Sequence, residues 1–290
     1  MQTSADYRIV KLANGTHSVH SLAHRETFHP VIGPVAEAEA LYVKQLRLPE
    51  WMANHTGEFV IWDVGLGAAA NVLTVLRATR DASCPLRIVS FDHTLAPLQF
   101  ALENAASLGY FTDYEAAVQR LIADHNTSFA DGNRRVNWEL HLGDFPSLLT
   151  HRLTDSPTQP PPAPHAILFD AFSPAKNPAM WTQPLFANLF RFLDPARPCA
   201  LPTYSRSTLL RVSLLLAGFY VGAGHATGEK EETTIAANTL DLISEPLDKK
   251  WLQRANNSTS AEPMWEPVYR QAPLTSETRE KLRQHPQFQA

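Results

Sequence analysis

The chain has 290 residues and a formal net charge of -4 at pH 7; 44% of its residues are hydrophobic and 19% are charged. This balance is typical of a folded soluble protein and is not the basic balance usual in nucleic-acid-binding domains. No apolar stretch reaches the roughly 18 residues of a membrane span. Residues 1–6 lack the pattern of a signal peptide. We therefore expect a cytoplasmic protein with no membrane partner.

Strand and helix signals alternate along most of the chain. Residues 7–22 alternate around Asn14-Gly15 and predict a hairpin, and residues 34–48 have helical spacing. Strands are predicted at residues 59–62, 86–91, 136–142, 166–169, 199–203, 219–223 and 233–237. Helices are predicted at 71–79, after Thr94, at 113–125, at 145–153, after Thr182 and at 207–217, with a proline-rich linker at 154–165.

This alternation predicts an α/β fold with a mostly parallel sheet and helices on both of its faces. About seven strands, with the last two close together in the sequence, fit the Rossmann-like fold of class I S-adenosylmethionine-dependent methyltransferases. We predict three parts: an N-terminal hairpin and helix extension at 1–50, a methyltransferase core at 51–245, and a polar C-terminal tail at 246–290. The tail is expected to wrap the surface or to be partly disordered.

A glycine loop, Asp63-Val64-Gly65-Leu66-Gly67, follows the first core strand. Glycine permits a sharp turn and the close approach of a ligand. In a dinucleotide enzyme the two glycines and Ala70 would complete G-x-G-x-x-A, with Asp92 as the ribose ligand. In a methyltransferase the loop would approach the amino-acid and ribose parts of S-adenosylmethionine, and Asp63 would help to hold the ammonium group. A third interpretation is a tight turn that binds nothing.

Acidic residues also follow the next three predicted strands of the core, at Asp92, Asp144 and Asp170. Asp92 can accept both ribose hydroxyls of a cofactor or complement a helix N-terminus. Asp144 can bind the adenine amino group, with Phe145 packed on the ring, or act as an N-cap. Because carboxyl ends of parallel strands meet at one edge of a sheet, these acids are predicted to line the cofactor site.

Two groups of residues carry no metal signal. The cysteines, Cys84 and Cys199, give neither a disulfide framework nor a cysteine-based metal site. Four N-terminal histidines match no metal template and are expected to be surface or turn residues; they are His17, His20, His24 and His29. We therefore predict no metal.

The most specific motif follows the fourth core strand. Residues 170–186 read D-A-F-S-P-A-K-N-P-A-M-W-T-Q-P-L-F, which closely resembles the D-G-F-A-P-A-K-N-P-x-M-W segment of the MnmC-type tRNA methyltransferase domain. Weaker support comes from His29, Gly33 and Glu37 before the first core strand, and from Asn71 after the glycine loop. The resemblance covers roughly residues 7–238.

The chain departs from that family pattern in three places. Ala68, Ala69 and Ala70 replace T-G-L in the loop G-x-G-T-G-L-N, and the methyl group of Ala69 is expected to crowd the cofactor. Asp92 stands where glutamate is usual. Residues 228–232 read G-E-K-E-E instead of G-R-K-R-E, which weakens the case for tRNA. We expect a stand-alone methylating half, because the chain is too short for the FAD-dependent half and shows no second dinucleotide loop.

The resemblance implies a reaction, a cofactor and a set of site residues. S-adenosylmethionine would methylate the aminomethyl nitrogen of 5-aminomethyl-(2-thio)uridine at the tRNA wobble position, with no FAD in this chain and with a separate FAD-dependent oxidase as a candidate partner. Asp170 is the candidate catalytic base. The candidate cofactor-binding residues are Asp63, Gly65, Gly67, Asn71, Asp92, Asp144 and Phe145. The candidate substrate-binding residues are Phe172, Lys176, Asn177 and Trp181.

Several interpretations stay open from the sequence. Phe172 and Trp181 stack on a splayed-out uridine or pack in the core, and Lys176 contacts a phosphate or pairs with an acid in its own loop. The rival functions are a methyltransferase for another amine, a nicotinamide-dependent oxidoreductase, and a non-catalytic scaffold for tRNA modification.

Overall fold

The computed structural model describes residues 3–154, 162–228 and 231–289. The chain divides into two units. One takes its described residues from Met1–Phe145, Ala166–Asp170 and Ala226–Glu231, and the other from Pro146–His165, Ala171–His225 and Glu232–Ala290. Most of the predicted linker at 154–165, and Glu229 and Lys230 of the stretch at 228–232, lie outside the described residues.

The first unit begins with a small antiparallel sheet of β1 (Tyr7–Lys11), β2 (His17–Ser21) and β3 (Glu26–Thr27). The turn between β1 and β2 is held by Asn14, whose Oδ1 accepts a hydrogen bond from the Thr16 backbone N–H at 3.1 Å. The predicted hairpin is confirmed.

The same unit contains five strands of the large sheet, in the order β8-β4-β5-β7-β6. They are β4 (Phe59–Val64), β5 (Leu86–Asp92), β6 (Asn126–Asp131), β7 (Arg134–Leu142) and β8 (Ala166–Phe169). The first four of that order run parallel, and β6 pairs antiparallel with β7. Every residue of β4 and of β8 is buried, so these strands are covered on both faces.

The helices of this unit are α1 (Pro34–Ala38), α2 (Leu48–Ala53), α3 (Ala70–Ala78), α4 (Ala96–Glu103), α5 (Ala105–Leu108) and α6 (Glu115–Asp124), with a π-helical segment at Glu39–Lys44. The single helix predicted at 34–48 is wrong in its last turn. Arg47 is left-handed, with φ 48°, and a new helix starts beyond it. The reason is Pro49, which has no backbone N–H to donate to a preceding turn.

The sequence analysis missed β6, which is the outer strand of the five in this unit. Its burial alternates, but the residues that face inward are Thr127, Phe129 and Asp131, so the sequence shows little hydrophobic alternation. The turn into β7 contains Gly132 at φ 62°. Asp131 and Arg134 form a buried ion pair across this turn, with Nη2 3.0 Å from Oδ2.

The second unit holds the remaining elements. They are α7 (Phe145–Thr154, whose first residue belongs to the first unit), α8 (Gln183–Phe192), β9 (Ala200–Thr203), α9 (Thr208–Ala217), β10 (Tyr220–Gly224), β11 (Thr233–Ala237), α10 (Lys249–Asn256) and α11 (Ser276–Arg283). The strand order is β10-β11-β9, with antiparallel pairs. As predicted, Thr182 caps α8 by accepting the Leu185 N–H at 3.3 Å, and Gly218 ends α9 at φ 109°.

The segment expected to be a surface tail is ordered in the structure and contains α10 and α11. Asp248 caps α10 by accepting the Trp251 N–H at 2.7 Å. Trp251 and Phe288 are buried with stacked rings, at a centroid distance of 6.4 Å. The apolar residues of these helices are few but fall on one helix face. The polar overall composition of residues 246–290 therefore did not indicate that α10 and α11 pack against the protein.

No helix in the described part of the chain combines the length and the apolar character that crossing a bilayer requires.

Candidate active site

The glycine loop connects β4 to α3, as predicted. Gly65 and Gly67 have φ values of 95° and 53°, in the region that favours glycine. A Cβ atom on Gly67 would lie 3.2 Å from Cε2 of Phe28, so the turn is closely packed. The loop therefore needs both glycines for its backbone path.

Ala69 is also left-handed, with φ 61° and ψ 13°, and it is the N-cap residue of α3. This conformation costs an L-residue about 1–2 kcal/mol, which explains why glycine is usual at this position in the family that the chain resembles. The Ala69 side chain is buried. That its methyl group crowds the cofactor stays a prediction.

Asp92, at the end of β5, is bound to the glycine loop. Its Oδ2 accepts the Gly67 N–H at 2.9 Å, and its Oδ1 accepts the N–H groups of His93 and Thr94 at 2.7 and 3.2 Å. The hydrogen bond to Asp92 raises the pKa of His93 despite partial burial. Nδ1 of His93 lies 3.2 Å from Oδ1 as well, so Oδ2, which among the described residues accepts only the Gly67 N–H, is the oxygen with an acceptor position left for a ligand hydroxyl.

We expect the substitution Asp92→Ala to weaken S-adenosylmethionine binding by about 1.5–3 kcal/mol, the range for a lost hydrogen bond to a charged group. The Gly67 N–H would lose its acceptor as well. Calorimetric titration measures the change in Kd, and Asp81→Ala, at an exposed position before β5, is the matched control. An unchanged Kd in Asp92→Ala would contradict the assignment.

Asp63 lies on β4 and is almost completely buried. Ser90 donates to its Oδ2 at 2.8 Å, and Ser90 in turn accepts from Nε1 of Trp138 at 2.9 Å. Oδ1 is buried, and no described residue hydrogen-bonds to it. Burial raises the pKa of Asp63 to about 8, the Ser90 hydrogen bond opposes this rise, and the charges of Asp92 and Asp170 add to it. The carboxyl group is therefore ready to ionise when a cation approaches.

Asp144 and Phe145 follow β7, the third predicted strand of the core. Asp144 is exposed and Phe145 is buried. The Phe145 ring packs edge-on against Phe91 of β5, with centroids 5.0 Å apart. Gly143 connects this tip to the second one, because its N–H donates to the Asp92 carbonyl oxygen at 2.9 Å. The roles of Asp144 and Phe145 in adenine binding stay predictions.

Asp170 directly follows β8, and its N–H donates to the Val64 carbonyl oxygen of β4 at 3.0 Å. Asn71, in the first turn of α3, donates from Nδ2 to Asp170 Oδ2 at 2.8 Å. His29 approaches the same oxygen, with Nε2 at 3.5 Å. The candidate catalytic base and the candidate cofactor ligand Asn71 are thus in direct contact, which the sequence analysis did not foresee.

His29 and Glu37 join this site, although neither was among the predicted site residues. The expectation that His29 is a surface or turn residue is wrong for its side chain, which is only 8% exposed. Its Nδ1 lies 3.6 Å from Oε1 of Glu37. Burial lowers the pKa of His29, but the carboxylates of Asp170 and Glu37 outweigh it and leave the pKa raised. The signal that could have found both residues was their match to the family pattern.

The predicted substrate-binding residues belong to the second unit. Phe172 and Asn177 are half-buried and Lys176 is exposed. Trp181 is fully buried, and its Nε1 donates to the Phe172 carbonyl oxygen at 2.7 Å. The structure therefore uses Trp181 as core packing, the alternative that the sequence had left open. A stacking role for Trp181 stays a prediction that requires the ring to be uncovered.

The acidic residues of the first unit fit S-adenosylmethionine, which carries a sulfonium and an ammonium group. The buried Oδ1 of Asp63 lacks a partner among the described residues, and the charges of Asp92 and Asp170 disfavour its ionisation. A cationic ligand relieves both conditions. Among the residues that the structure describes, no three histidine, cysteine or acidic side chains are grouped to hold a metal ion.

The chain is similar to known methyltransferases. The profile of a family described as S-adenosyl-L-methionine-dependent methyltransferase matches residues 110–239. Over 213 residues the chain is 31% identical to the "tRNA 5-methylaminomethyl-2-thiouridine biosynthesis bifunctional protein MnmC" of Aeromonas hydrophila, covering 68% of this chain and 30% of that protein. Over 247 residues it is 28% identical to the protein of the same name from Methylibium petroleiphilum, covering 82% and 35%. The chain spans about a third of the length of these relatives.

A solved structure shares the fold. The crystal structure of MnmC2 from Aquifex aeolicus superposes with a TM-score of 0.70 at 21% sequence identity, covering 95% of this chain and 82% of that chain. The profile and the related proteins identify an S-adenosyl-L-methionine-dependent methyltransferase, and the solved structure shows the same fold. Within that class the chain is related to MnmC. The dinucleotide-enzyme interpretation of the glycine loop is therefore set aside.

Proposed function

We propose that this methyltransferase transfers the methyl group of S-adenosylmethionine to the aminomethyl nitrogen of 5-aminomethyl-(2-thio)uridine at the wobble position of tRNA. The names of the MnmC relatives point to this modification. The observation that carries the proposal is the Asp170 carboxylate, which is fixed at the end of β8 by Asn71 and faced by His29. A tRNA substrate also agrees with the cytoplasmic location expected from the sequence.

The site suits an amine acceptor for a chemical reason. A primary amine is protonated near neutral pH, and only its free lone pair can attack a methyl group. A positioned carboxylate can accept the proton that the amine loses. Asp170 is such a carboxylate, and its fixed orientation in the contact with Asn71 favours an in-line arrangement of the reacting atoms.

The chain's own residues would hold the cofactor in the first unit. S-adenosylmethionine supplies a methyl group on a positively charged sulfur. Asp63 would bind the ammonium group, Asp92 the ribose hydroxyls, and the backbone of Gly65 and Gly67 would permit close approach. Phe145 would pack on the adenine ring.

The test is methyl transfer from isotopically labelled S-adenosylmethionine to tRNA that bears 5-aminomethyl-uridine. Nucleoside mass spectrometry is expected to show 5-methylaminomethyl-uridine in the digested tRNA. The same tRNA without the aminomethyl group is the matched control and should gain no label. If label enters only small amines, the acceptor is wrong and the alternative methyltransferase function holds. If no acceptor is labelled and no cofactor binds, the scaffold function holds.

One observation favours keeping the alternative amine acceptor in that test. The net charge of -4 gives a weaker electrostatic attraction for tRNA than a basic protein would have. If tRNA is the substrate, its aminomethyl group must be provided by another enzyme, and a separate FAD-dependent oxidase is a suitable partner of that kind.

A further inference from the structure

We propose that His29, held by Glu37, is a positioning residue that keeps the Asp170 carboxylate ionised and oriented to accept the proton of the substrate amine. This inference rests on the proposed function, because it assigns a role to Asp170 in amine methylation. It adds to the reaction two residues that neither the loop nor the strand-tip pattern identifies.

The three side chains form a line. Glu37 Oε1 lies 3.6 Å from His29 Nδ1, and His29 Nε2 lies 3.5 Å from Asp170 Oδ2. These distances are long for hydrogen bonds, so the interaction in this state is electrostatic. Contacts of this kind commonly tighten when substrate binds. An imidazole between two carboxylates is stabilised in its charged form, which makes His29 the cation of the line.

Burial makes the line effective. The His29 and Glu37 side chains are 8% and 9% exposed, and Asp170 is 16% exposed. Charges interact more strongly here than at a solvent-exposed surface. The charged groups that face His29 are Glu37 of α1 and Asp170 at the end of β8. Asp63 of β4 lies close enough to be disfavoured as an anion by the negative charges of Asp170 and of Asp92 on β5. Without the imidazolium, this group of acids would favour a protonated and inactive Asp170.

The backbone explains the spacing of His29, Gly33 and Glu37. His29 is left-handed, with φ 48°, which turns the chain after β3. Gly33 has φ 87° and precedes α1, and a Cβ atom there would lie 2.5 Å from Oγ1 of Thr16. Only glycine fits this position, so α1 can start there and present Glu37 one turn later. The neighbouring Phe28 packs against the glycine loop.

The proton and electron balance of the step is simple. The substrate ammonium gives one proton to the Asp170 carboxylate. The freed nitrogen lone pair forms the new nitrogen–carbon bond, and the carbon–sulfur bond of S-adenosylmethionine breaks with its electron pair left on sulfur. The resulting secondary amine is protonated, and Asp170 releases its proton to solvent before the next substrate binds. His29 stays charged and forms no covalent bond.

The test compares pH profiles of kcat/KM for the wild type, His29→Asn and Glu37→Gln. Asparagine tolerates the left-handed backbone at position 29. We expect the acid limb of the His29→Asn profile to move to higher pH by about 1 unit or more, since Asp170 loses its cationic partner. At a pH on the acid limb, kcat/KM should fall about tenfold or more and recover at higher pH. Glu37→Gln should move the limb in the same direction by less, and His17→Gln on β2 is the matched control.

Two further readouts separate a positioning role from a structural one. Calorimetry is expected to show the same Kd for S-adenosylmethionine in all variants, and NMR titration of the His29 imidazole should show its pKa falling in Glu37→Gln and in Asp170→Asn. Two results would overturn the role of His29 and leave the proposed function standing. One is an active wild type whose pH profile is shared by the variants, and the other is a His29 imidazole pKa that is unchanged in Glu37→Gln and Asp170→Asn. A wild type inactive on every amine overturns the proposed function and this role with it.

Discussion

Replacing Asp170 by asparagine is expected to lower kcat of methyl transfer by about 10²–10⁴-fold, the usual contribution of a general base. The change keeps the shape of the side chain and lets the new amide oxygen accept from Asn71, which donates to Asp170 Oδ2 at 2.8 Å. What disappears is the ability to accept a proton from the substrate. The Kd for S-adenosylmethionine should therefore change little. Single-turnover assays and calorimetry measure the two quantities separately.

The matched control for this prediction is Asp241→Asn, which makes the same chemical change at an exposed position. It should leave kcat and Kd as they are in the wild type. Full activity in Asp170→Asn would show that proton removal occurs elsewhere, and it would remove the main support for an amine acceptor. A parallel loss of cofactor binding would instead assign Asp170 to the cofactor site.

Replacing Asp63 by asparagine is expected to stabilise the ligand-free protein at pH 7 by about 2–4 kcal/mol. The pKa of this carboxyl group is raised to about 8 in the folded protein, by burial first and by Asp92 and Asp170 in addition. In the unfolded chain it returns to its ordinary value near 3.8. Between pH 3.8 and about pH 8, Asp63 is protonated in the folded state and ionised in the unfolded state. The folding free energy therefore becomes less favourable as the pH rises through this range.

The direction of this pH dependence can be measured. The stability difference between Asp63→Asn and the wild type should be small at pH 4, grow through pH 7 and level off above about pH 8. Urea unfolding at several pH values measures it, with Asp81→Asn as the matched control at an exposed position. A difference that stays constant from pH 4 to pH 8 would contradict the raised pKa.

The same carboxyl group links cofactor binding to protons. If Asp63 binds the ammonium group of S-adenosylmethionine, it must ionise, and binding at pH 7 should release about one proton. Calorimetry in buffers with different ionisation enthalpies measures this release. Asp63→Asn should bind the cofactor more weakly and release no proton. The variant would then be more stable and less able to bind, a trade-off expected of a functional site.

The parts of the fold that local sequence determines could be predicted. Strand and helix alternation, the cap at Thr182 and the stop at Gly218 depend on residues close together in the chain, and the structure confirms them. The strand β6 was missed because an edge strand needs little hydrophobic alternation when a neighbour completes its hydrogen bonds. The helices α10 and α11 were missed because their few apolar residues stabilise them only by packing against the core, which the local sequence does not show.

The site residues that lie at the ends of parallel strands could be predicted, and those placed by an irregular segment could not. Asp63, Asp92 and Asp170 follow parallel strands, and this rule alone brings them to one edge. His29 and Glu37 reach Asp170 through a left-handed residue and a sterically required glycine. Such a path depends on tertiary packing, so residue periodicity cannot reveal it. The four N-terminal histidines therefore looked alike in the sequence, although the His29 side chain is only 8% exposed and lies beside two carboxylates.

The bonds from Asp92 to Gly67, His93 and Thr94 have a consequence for the kinetics of cofactor capture. They fix the glycine loop in its folded path before any ligand arrives. A binding surface that is already rigid loses little conformational entropy on association. S-adenosylmethionine should therefore enter in a single concentration-dependent phase, with no slower rearrangement behind it, and exchange with its demethylated product should be limited by the dissociation rate of each ligand.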